Sequence, residues 1–131
     1  MKDILCDEFQ NTVAELLIRH QSILDILTKF QESTARVNRA VVKAITSCGC
    51  LKVVAEKTPI PEGTSLHELK SLLDSNLQGV ICTDCREIIE AEMGKNLFYL
   101  AAMCNALDIN FFDVLVKEQK KIATLRIFNF T

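Results

Sequence analysis

The stretch that decides the expected fold is residues 82–107, CTDCREIIEAEMGKNLFYLAAMCNAL. After its opening pair of cysteines it contains no proline, and its apolar residues recur at helical spacing over a broad arc. Such a pattern predicts a long helix that contacts other elements on several sides. We therefore expect residues 86–107 to form the central helix of a mainly α-helical domain.

The N-terminal third of the chain also has helical spacing. Apolar residues follow one stripe over 3–30 and resume over 37–45, which predicts helix in both ranges. The segment between them, Q31-E-S-T34, either bends one long helix or separates two. We favour two helices, with Ser33 or Thr34 as the N-cap of the second.

The middle of the chain is less regular. Residues 50–57 alternate weakly in polarity, which predicts a short strand or one arm of a hairpin. Two prolines and a glycine at 59–63 indicate a loop. Ser65 and Glu68 have the spacing of a capping box, so a short helix is expected from there to about Asn76.

The C-terminal part predicts one more helix. Residues 108–110 form a short turn, and Asn110 is the expected N-cap of a helix that continues to about Ile122. A link this short favours an antiparallel pair of helices. The apolar tail, 127–131, is expected to pack on the domain or on a partner. Residues 1–131 thus form a single bundle-like domain, with a small irregular or β-hairpin insertion at 46–85 tied by a metal site.

Composition and charge narrow the class of protein. The chain has 131 residues, 49% of them apolar, and a net charge of −2, so a basic nucleic-acid-binding domain is not indicated. No apolar run reaches the roughly 20 residues of a membrane helix. The charged start of the sequence does not resemble a signal peptide. We expect a cytoplasmic protein with reduced thiols.

Two tight cysteine pairs, C48-G-C50 and C82-T-D-C85, are the strongest signal for a functional site. In a reducing compartment, clustered cysteines more often bind metal than form disulfides. Four thiolates suit the tetrahedral coordination of structural zinc. The glycine between Cys48 and Cys50 permits a sharp turn between ligands. We predict a zinc site made of Cys48, Cys50, Cys82 and Cys85 that joins a helix end, a hairpin and the central helix.

Three alternatives to zinc stay open at this point. The Cys82–Cys85 pair at a helix start can act as a redox pair, although no β-α-β pattern surrounds it. Four cysteines can also bind an iron–sulfur cluster. The simplest alternative is four unligated thiols. The remaining cysteines, Cys6 and Cys104, lie in apolar helical surroundings and are expected to be small buried hydrophobes.

The segment from Glu92 to Leu115, EMGKNLFYLAAMCNALDINFFDVL, resembles the later half of the all-α nucleoside-triphosphate pyrophosphohydrolases of the MazG type. That family runs E-L-G-D, an apolar F-Y-L-L stretch, a G-I-D turn and another helix. The likeness covers about 86–121 well and 13–45 faintly. With its CGC and C-x-x-C pairs, the whole chain also resembles a small uncharacterised bacterial family. The resemblance implies helices that pair across a dimer.

The acidic motifs of the pyrophosphohydrolases are degenerate in this chain. The family binds magnesium with E-E-x-x-E on one helix and E-x-x-D on a later one, since hard cations prefer carboxylate oxygens. Here Lys95 takes the aspartate position of the second motif, and Arg36 and Arg39 take glutamate positions of the first. Magnesium is therefore not expected, and we expect no catalysis. A divergent metal site remains open for other acids of these helices, namely Glu32, Glu87 and Glu90.

Basic residues in these positions have two interpretations. Arg36, Arg39 and Lys43 recur at helical spacing and, with Lys95, could bind a phosphate or nucleotide. They could equally form the solvated face of an amphipathic helix. Tyr99, on the same stripe as Glu92 and Lys95, would line such a pocket or lie at the edge of the core.

These observations favour a non-catalytic, zinc-stabilised helical module for binding or assembly. The apolar tail, the apolar helices and the resemblance predict a homo-oligomer. The alternative is a divergent nucleotide-binding protein or nucleoside-triphosphate pyrophosphohydrolase of the MazG-like class. A third hypothesis is a thiol redox sensor that uses Cys82 and Cys85.

Overall fold

The structure is a computed structural model, and it describes residues 4–17 and 21–129 of the chain. Within these ranges the helices are α1 (Ile4–Leu16), α2 (Ile23–Lys43), α3 (Leu66–Leu72), α4 (Thr83–Ala106) and α5 (Phe111–Asn129). Two short strands, β1 (Leu51–Val53) and β2 (Leu77–Gly79), form an antiparallel pair. The predicted mainly α fold with a small hairpin insertion is confirmed.

The pairing of α2 with α4 is the most extensive packing between elements. Asn96 on α4 donates hydrogen bonds from its side-chain amide to the hydroxyl oxygens of Ser33 (3.0 Å) and Thr34 (2.9 Å) on α2. At one end of the pair, α1 completes a core cluster made of Val13, Ile26, Ala101 and Ala102. At the other end, a second cluster contains Ala44, Leu51 and Ile89. The helix pair therefore connects two small cores.

The break in the N-terminal helical region differs from the prediction. Helix α1 ends at Leu16, and α2 begins after Ser22, whose hydroxyl accepts a hydrogen bond from the Leu24 amide. Segment 31–34 lies inside α2. Ser33 and Thr34 are not N-caps, because their hydroxyls donate to the Phe30 carbonyl within the helix while accepting from Asn96. Tertiary contacts thus allow these two residues to remain helical.

The insertion between α2 and α4 contains the hairpin arms and α3. Ser65 and Glu68 form the predicted capping box at the start of α3. The helix ends at Leu72 rather than at about Asn76, since Leu73 is extended and Asn76 adopts a positive φ of 62°. The Asn76 carbonyl then accepts from the Val54 amide at 2.8 Å and continues the pairing of the two strands.

Helix α5 does not run antiparallel to α4, so that prediction is wrong. Asn110 is the N-cap as predicted, since its side-chain oxygen accepts from the Asp113 amide at 2.9 Å. However, α4 and α5 make a 105° bend. The buried side chain of Gln10 holds this bend: its amide donates to the Ile109 carbonyl (2.7 Å), and its oxygen accepts from the Phe111 amide (2.8 Å).

The C-terminal helix is also longer than predicted. It continues to Asn129 instead of ending near Ile122. The side chains of the apolar tail at 127–131 lie outside the described residues. In the described ranges no single helix is long and apolar enough to cross a membrane; α4 and α5 satisfy that length and composition only together, as a bent pair.

Removing the Gln10 side chain should loosen α5 from α1. We expect Gln10→Ala to lower the free energy of unfolding by about 2 kcal/mol, because two backbone groups at the bend lose their buried partner. Urea denaturation followed by circular dichroism measures this change. The matched control is Asn11→Ala at an exposed neighbouring position, which should change stability by less than about 0.5 kcal/mol. Equal effects of both variants would contradict the anchoring role of Gln10.

Candidate metal centre

The four paired cysteines converge on one point. Their sulfur atoms all lie within 4.8 Å of one another, and the Sγ atoms of Cys48 and Cys82 are 3.8 Å apart. A tetrahedral zinc ion with Zn–S bonds of about 2.3 Å has sulfur–sulfur edges of about 3.8 Å. The four side chains, Cys48, Cys50, Cys82 and Cys85, can therefore hold a metal ion, as the sequence predicts.

A tight turn after α2 presents the first pair. Residues Ala44–Cys48 form a single π-helical turn, and Gly49 follows with a φ of 82°. The Gly49 amide donates to the Ala44 carbonyl at 3.0 Å, which closes the turn. The Cys50 thiol also lies 3.7 Å from this carbonyl. Because glycine adopts the left-handed conformation without strain, both thiols of the C-G-C segment reach the same point.

The start of α4 presents the second pair. Cys82 is the N-cap, and its sulfur accepts a hydrogen bond from the Cys85 amide at 3.4 Å. This hydrogen bond lowers the pKa of Cys82 to about 7, because it stabilises the thiolate. A thiolate at a helix N-terminus is also favoured by the helix dipole. One of the two sulfur atoms of this pair is thus readily deprotonated, which is the form that binds a metal.

The pKa of the other thiol of this pair is shifted in the opposite direction. Its hydrogen bond with the Cys82 sulfur and its desolvation raise the pKa of Cys85. Several thiolates this close together repel one another, so they cannot all be charged without a cation. Metal binding releases the protons and removes the repulsion. The chemistry of the donor set therefore fits a divalent ion.

The surroundings of the four sulfur atoms are apolar on one side and open on the other. Ala44, Leu51 and Ile89 are buried next to the site, and Ile81 packs against them. Cys48 is exposed, whereas the other three cysteines are partly buried. The remaining cysteines lie elsewhere: Cys104 is buried, as predicted, and Cys6 is only partly buried.

Gly79 connects the hairpin to the site. It pairs with Leu51 across the strands and has a φ of 95°. A Cβ atom at this position would overlap the carbonyl of Cys50. The backbone of β2 therefore approaches a predicted ligand so closely that only glycine fits. The sequence alone does not indicate this role, since a lone glycine before a cysteine pair gives no such signal.

The predicted basic residues do not form one site. Arg36 and Lys95 line a cavity of about 280 Å³ between α2 and α4, together with Lys29, Glu32, Ser33 and Tyr99. Arg39 and Lys43 are exposed on α2 and do not line this cavity. The stripe Arg36–Arg39–Lys43 is thus divided between a cavity and the open surface.

The charged side chains that line this cavity form ion pairs. The Glu32 carboxylate is 3.3 Å from both the Lys29 ammonium and the Arg36 guanidinium. Hydrogen bonding and attraction from Lys29, followed by those from Arg36, lower the pKa of Glu32. The Lys95 ammonium lies 3.7 Å from Oε1 of Glu92. Both carboxylates are therefore neutralised by cations from the same helix.

One atom beside this cavity has no partner. Oε2 of Glu92 is buried and accepts no hydrogen bond. An unsatisfied buried acceptor is costly. Of the acids left open in the sequence analysis, Glu32 lines the cavity, while Glu87 and Glu90 are exposed and do not. Glu92 does not line the cavity but is paired with Lys95, which does.

No protein-family model, curated protein or solved structure matches this chain. The similarity of 86–121 to the MazG-type pyrophosphohydrolases therefore stays a prediction.

The close approach of β2 to Cys50 predicts a remote effect on metal binding. Gly79→Ala should weaken zinc binding about 10- to 100-fold although Gly79 is not a ligand, because the new Cβ displaces the Cys50 backbone. Competition with a chromophoric chelator measures the affinity. Gly63→Ala is the matched control: Gly63 also has a positive φ, of 83°, but an added Cβ meets open space. Equal affinities of the two variants would contradict the steric role of Gly79.

Proposed function

We propose that this chain is a non-catalytic helical module for binding or assembly, stabilised by zinc at Cys48, Cys50, Cys82 and Cys85. The observation that carries the proposal is the convergence of four sulfur atoms within 4.8 Å. The pairs belong to segments 34 residues apart, so chance proximity of all four thiols is a poor explanation. A structural role follows from the donor set, since four thiolates leave no open coordination position for a reacting water.

The fold explains why a metal is useful here. The insertion has almost no core of its own: α3 has no buried residue, and all three residues of β2 are exposed. A zinc ion would join the end of α2, the start of β1 and the N-terminus of α4. Bonds to the metal would thereby replace the apolar contacts that the insertion lacks.

The spacing of the ligands favours a single metal ion over a cluster. All four sulfur atoms can bind the same centre only if they are close together, which suits a single ion better than a cluster of several. Zinc prefers tetrahedral thiolate coordination and has no redox chemistry. A zinc centre would thus stabilise the fold without adding reactivity.

Elemental analysis of protein purified without a chelator tests the proposal. We expect one zinc ion per chain, and we expect Cys48→Ser and Cys82→Ser to lose it together with about 10 °C or more of the melting temperature. Cys104→Ala is the control, because Cys104 lies outside the cluster and should retain the metal. Iron with visible absorbance would show that the site binds a redox metal and not zinc. A stable metal-free protein would refute the proposal.

A second candidate function is nucleotide binding in the α2–α4 cavity. Three cations, Lys29, Arg36 and Lys95, line this cavity together with one carboxylate, that of Glu32. Guanidinium and ammonium groups bind phosphate oxygens well. The ion pairs of the Glu32 and Glu92 carboxylates favour binding without the magnesium-dependent hydrolysis of the family that the sequence resembles.

Thermal shift with nucleoside triphosphates, with and without magnesium, tests this second function. A ligand at about 100 times its Kd should stabilise the fold by about 2.7 kcal/mol. Arg36→Gln should abolish the shift. Arg39→Gln, an exposed arginine one turn further along α2, should leave it unchanged. Release of pyrophosphate with magnesium would instead identify a divergent pyrophosphohydrolase. No shift with any nucleotide would leave the assembly module as the function.

A further inference from the structure

Helix α5 projects from the rest of the domain. Its main packing partner is α1, and the side-chain contacts identified between them involve its first residue, Phe111. There the rings of Phe9 and Phe111 meet edge to face at a centroid distance of 6.5 Å, and the Gln10 side chain accepts from the Phe111 amide. From 113 to 126 every residue except Val116 is exposed. Within one chain the described side chains from 113 to 126 are therefore only partly covered.

The exposed part of α5 has an apolar face. The large apolar side chains Val114, Leu115, Ile122 and Leu125 follow one stripe at helical spacing, and each is 48–52% exposed. Isolated helices of this length are marginal in water and depend on burial of their apolar face. The stripe therefore indicates a missing packing partner.

The surface area of the whole chain is larger than that of a compact monomer. The chain exposes 10345 Å², whereas a compact monomer of 14.7 kDa exposes about 6,900 Å². The excess is about 3,400 Å², and obligate dimers bury about 1,000–2,500 Å² per chain. Part of this excess belongs to the exposed insertion, and the total leaves room for a stable dimer interface.

Charge selects the surface on which α5 docks. From 113 to 126, α5 has four cations, Lys117, Lys120, Lys121 and Arg126, against the two carboxylates Asp113 and Glu118, so two copies of α5 carry the same net charge and would repel each other. Helix α1 contains Asp7, Glu8 and Glu15 and no basic residue. Exposed apolar side chains lie at both of its ends, Ile4, Leu5 and Leu16. Helix α1 of another chain is therefore complementary to α5 in both charge and polarity.

We propose that the apolar face of α5 docks on α1 of a second copy of this chain, in a two-fold dimer in which each chain covers the other. The proposal rests on the assembly function above and names its partner and its surface. Because two-fold symmetry repeats the contact, each α5–α1 contact occurs twice. The dimer would bury the surface that one chain cannot cover.

Sedimentation velocity of the zinc-loaded full chain at micromolar concentration tests the proposal. We expect a dimer of the wild type and a monomer of Ile122→Glu, because a carboxylate in the stripe would be buried without a partner. Thr124→Glu adds the same charge outside the stripe and should remain dimeric. A monomeric wild type, or a dimer that Ile122→Glu does not weaken, would overturn the proposal.

Charge reversal tests the assignment to α1. Lys117→Glu with Lys121→Glu should weaken the dimer about tenfold, and addition of Glu8→Lys and Glu15→Lys should restore it. Failure to restore the dimer would overturn the docking on α1.

Hydrogen exchange on the wild type gives a test that does not depend on folding of a variant. Amides of 114–126 should exchange more slowly at high than at low protein concentration, and exchange independent of concentration would overturn the proposal. Zinc content is measured on the same samples. A dimer without zinc would refute the metal site alone, whereas a zinc-loaded monomer would refute the dimer alone.

Discussion

The pairing of α2 with α4 is the contact on which the rest of the structure depends. Asn96 reaches across this interface to the hydroxyls of Ser33 and Thr34, and the small side chains of Ala101 and Ala102 are fully buried where α1 joins the pair. The cysteine cluster lies at one end of these helices, and the charged cavity lies between them. Both candidate sites are therefore positioned by the same pair of helices.

Local packing is sparse around this pair. Among the described residues, the largest fully buried side chains are Ile26 and Val13, so each core cluster is small. A chain with little core usually gains stability from a metal, a disulfide or another subunit. Here the cysteine cluster would stabilise the insertion, and a second copy would stabilise α5. The two proposals thus both supply stabilising contacts that the small cores lack, at opposite ends of the domain.

The charged cavity illustrates how cations can change the chemistry of a helical pocket. The two carboxylates between α2 and α4 each have a cation from their own helix within 4 Å. A carboxylate that is already paired gives a divalent cation a weaker site, since the metal must displace a favourable partner. The ion pairs therefore weaken these carboxylates as ligands for magnesium.

The sequence by itself determined the helical class, the capping box at Ser65, the N-cap at Asn110 and the four cysteines of the cluster. These features depend on local spacing, which is visible along the chain. Only the tertiary structure decided where α1 ends, how α5 leaves α4, and which basic residues share a cavity. The clearest case is the bend into α5, where Gln10 bonds backbone groups about 100 residues away in sequence. Asn96 likewise joins Ser33 and Thr34 across two helices. Side chains far apart in sequence leave no periodic signal, so their mutual contacts appear only when the chain is folded.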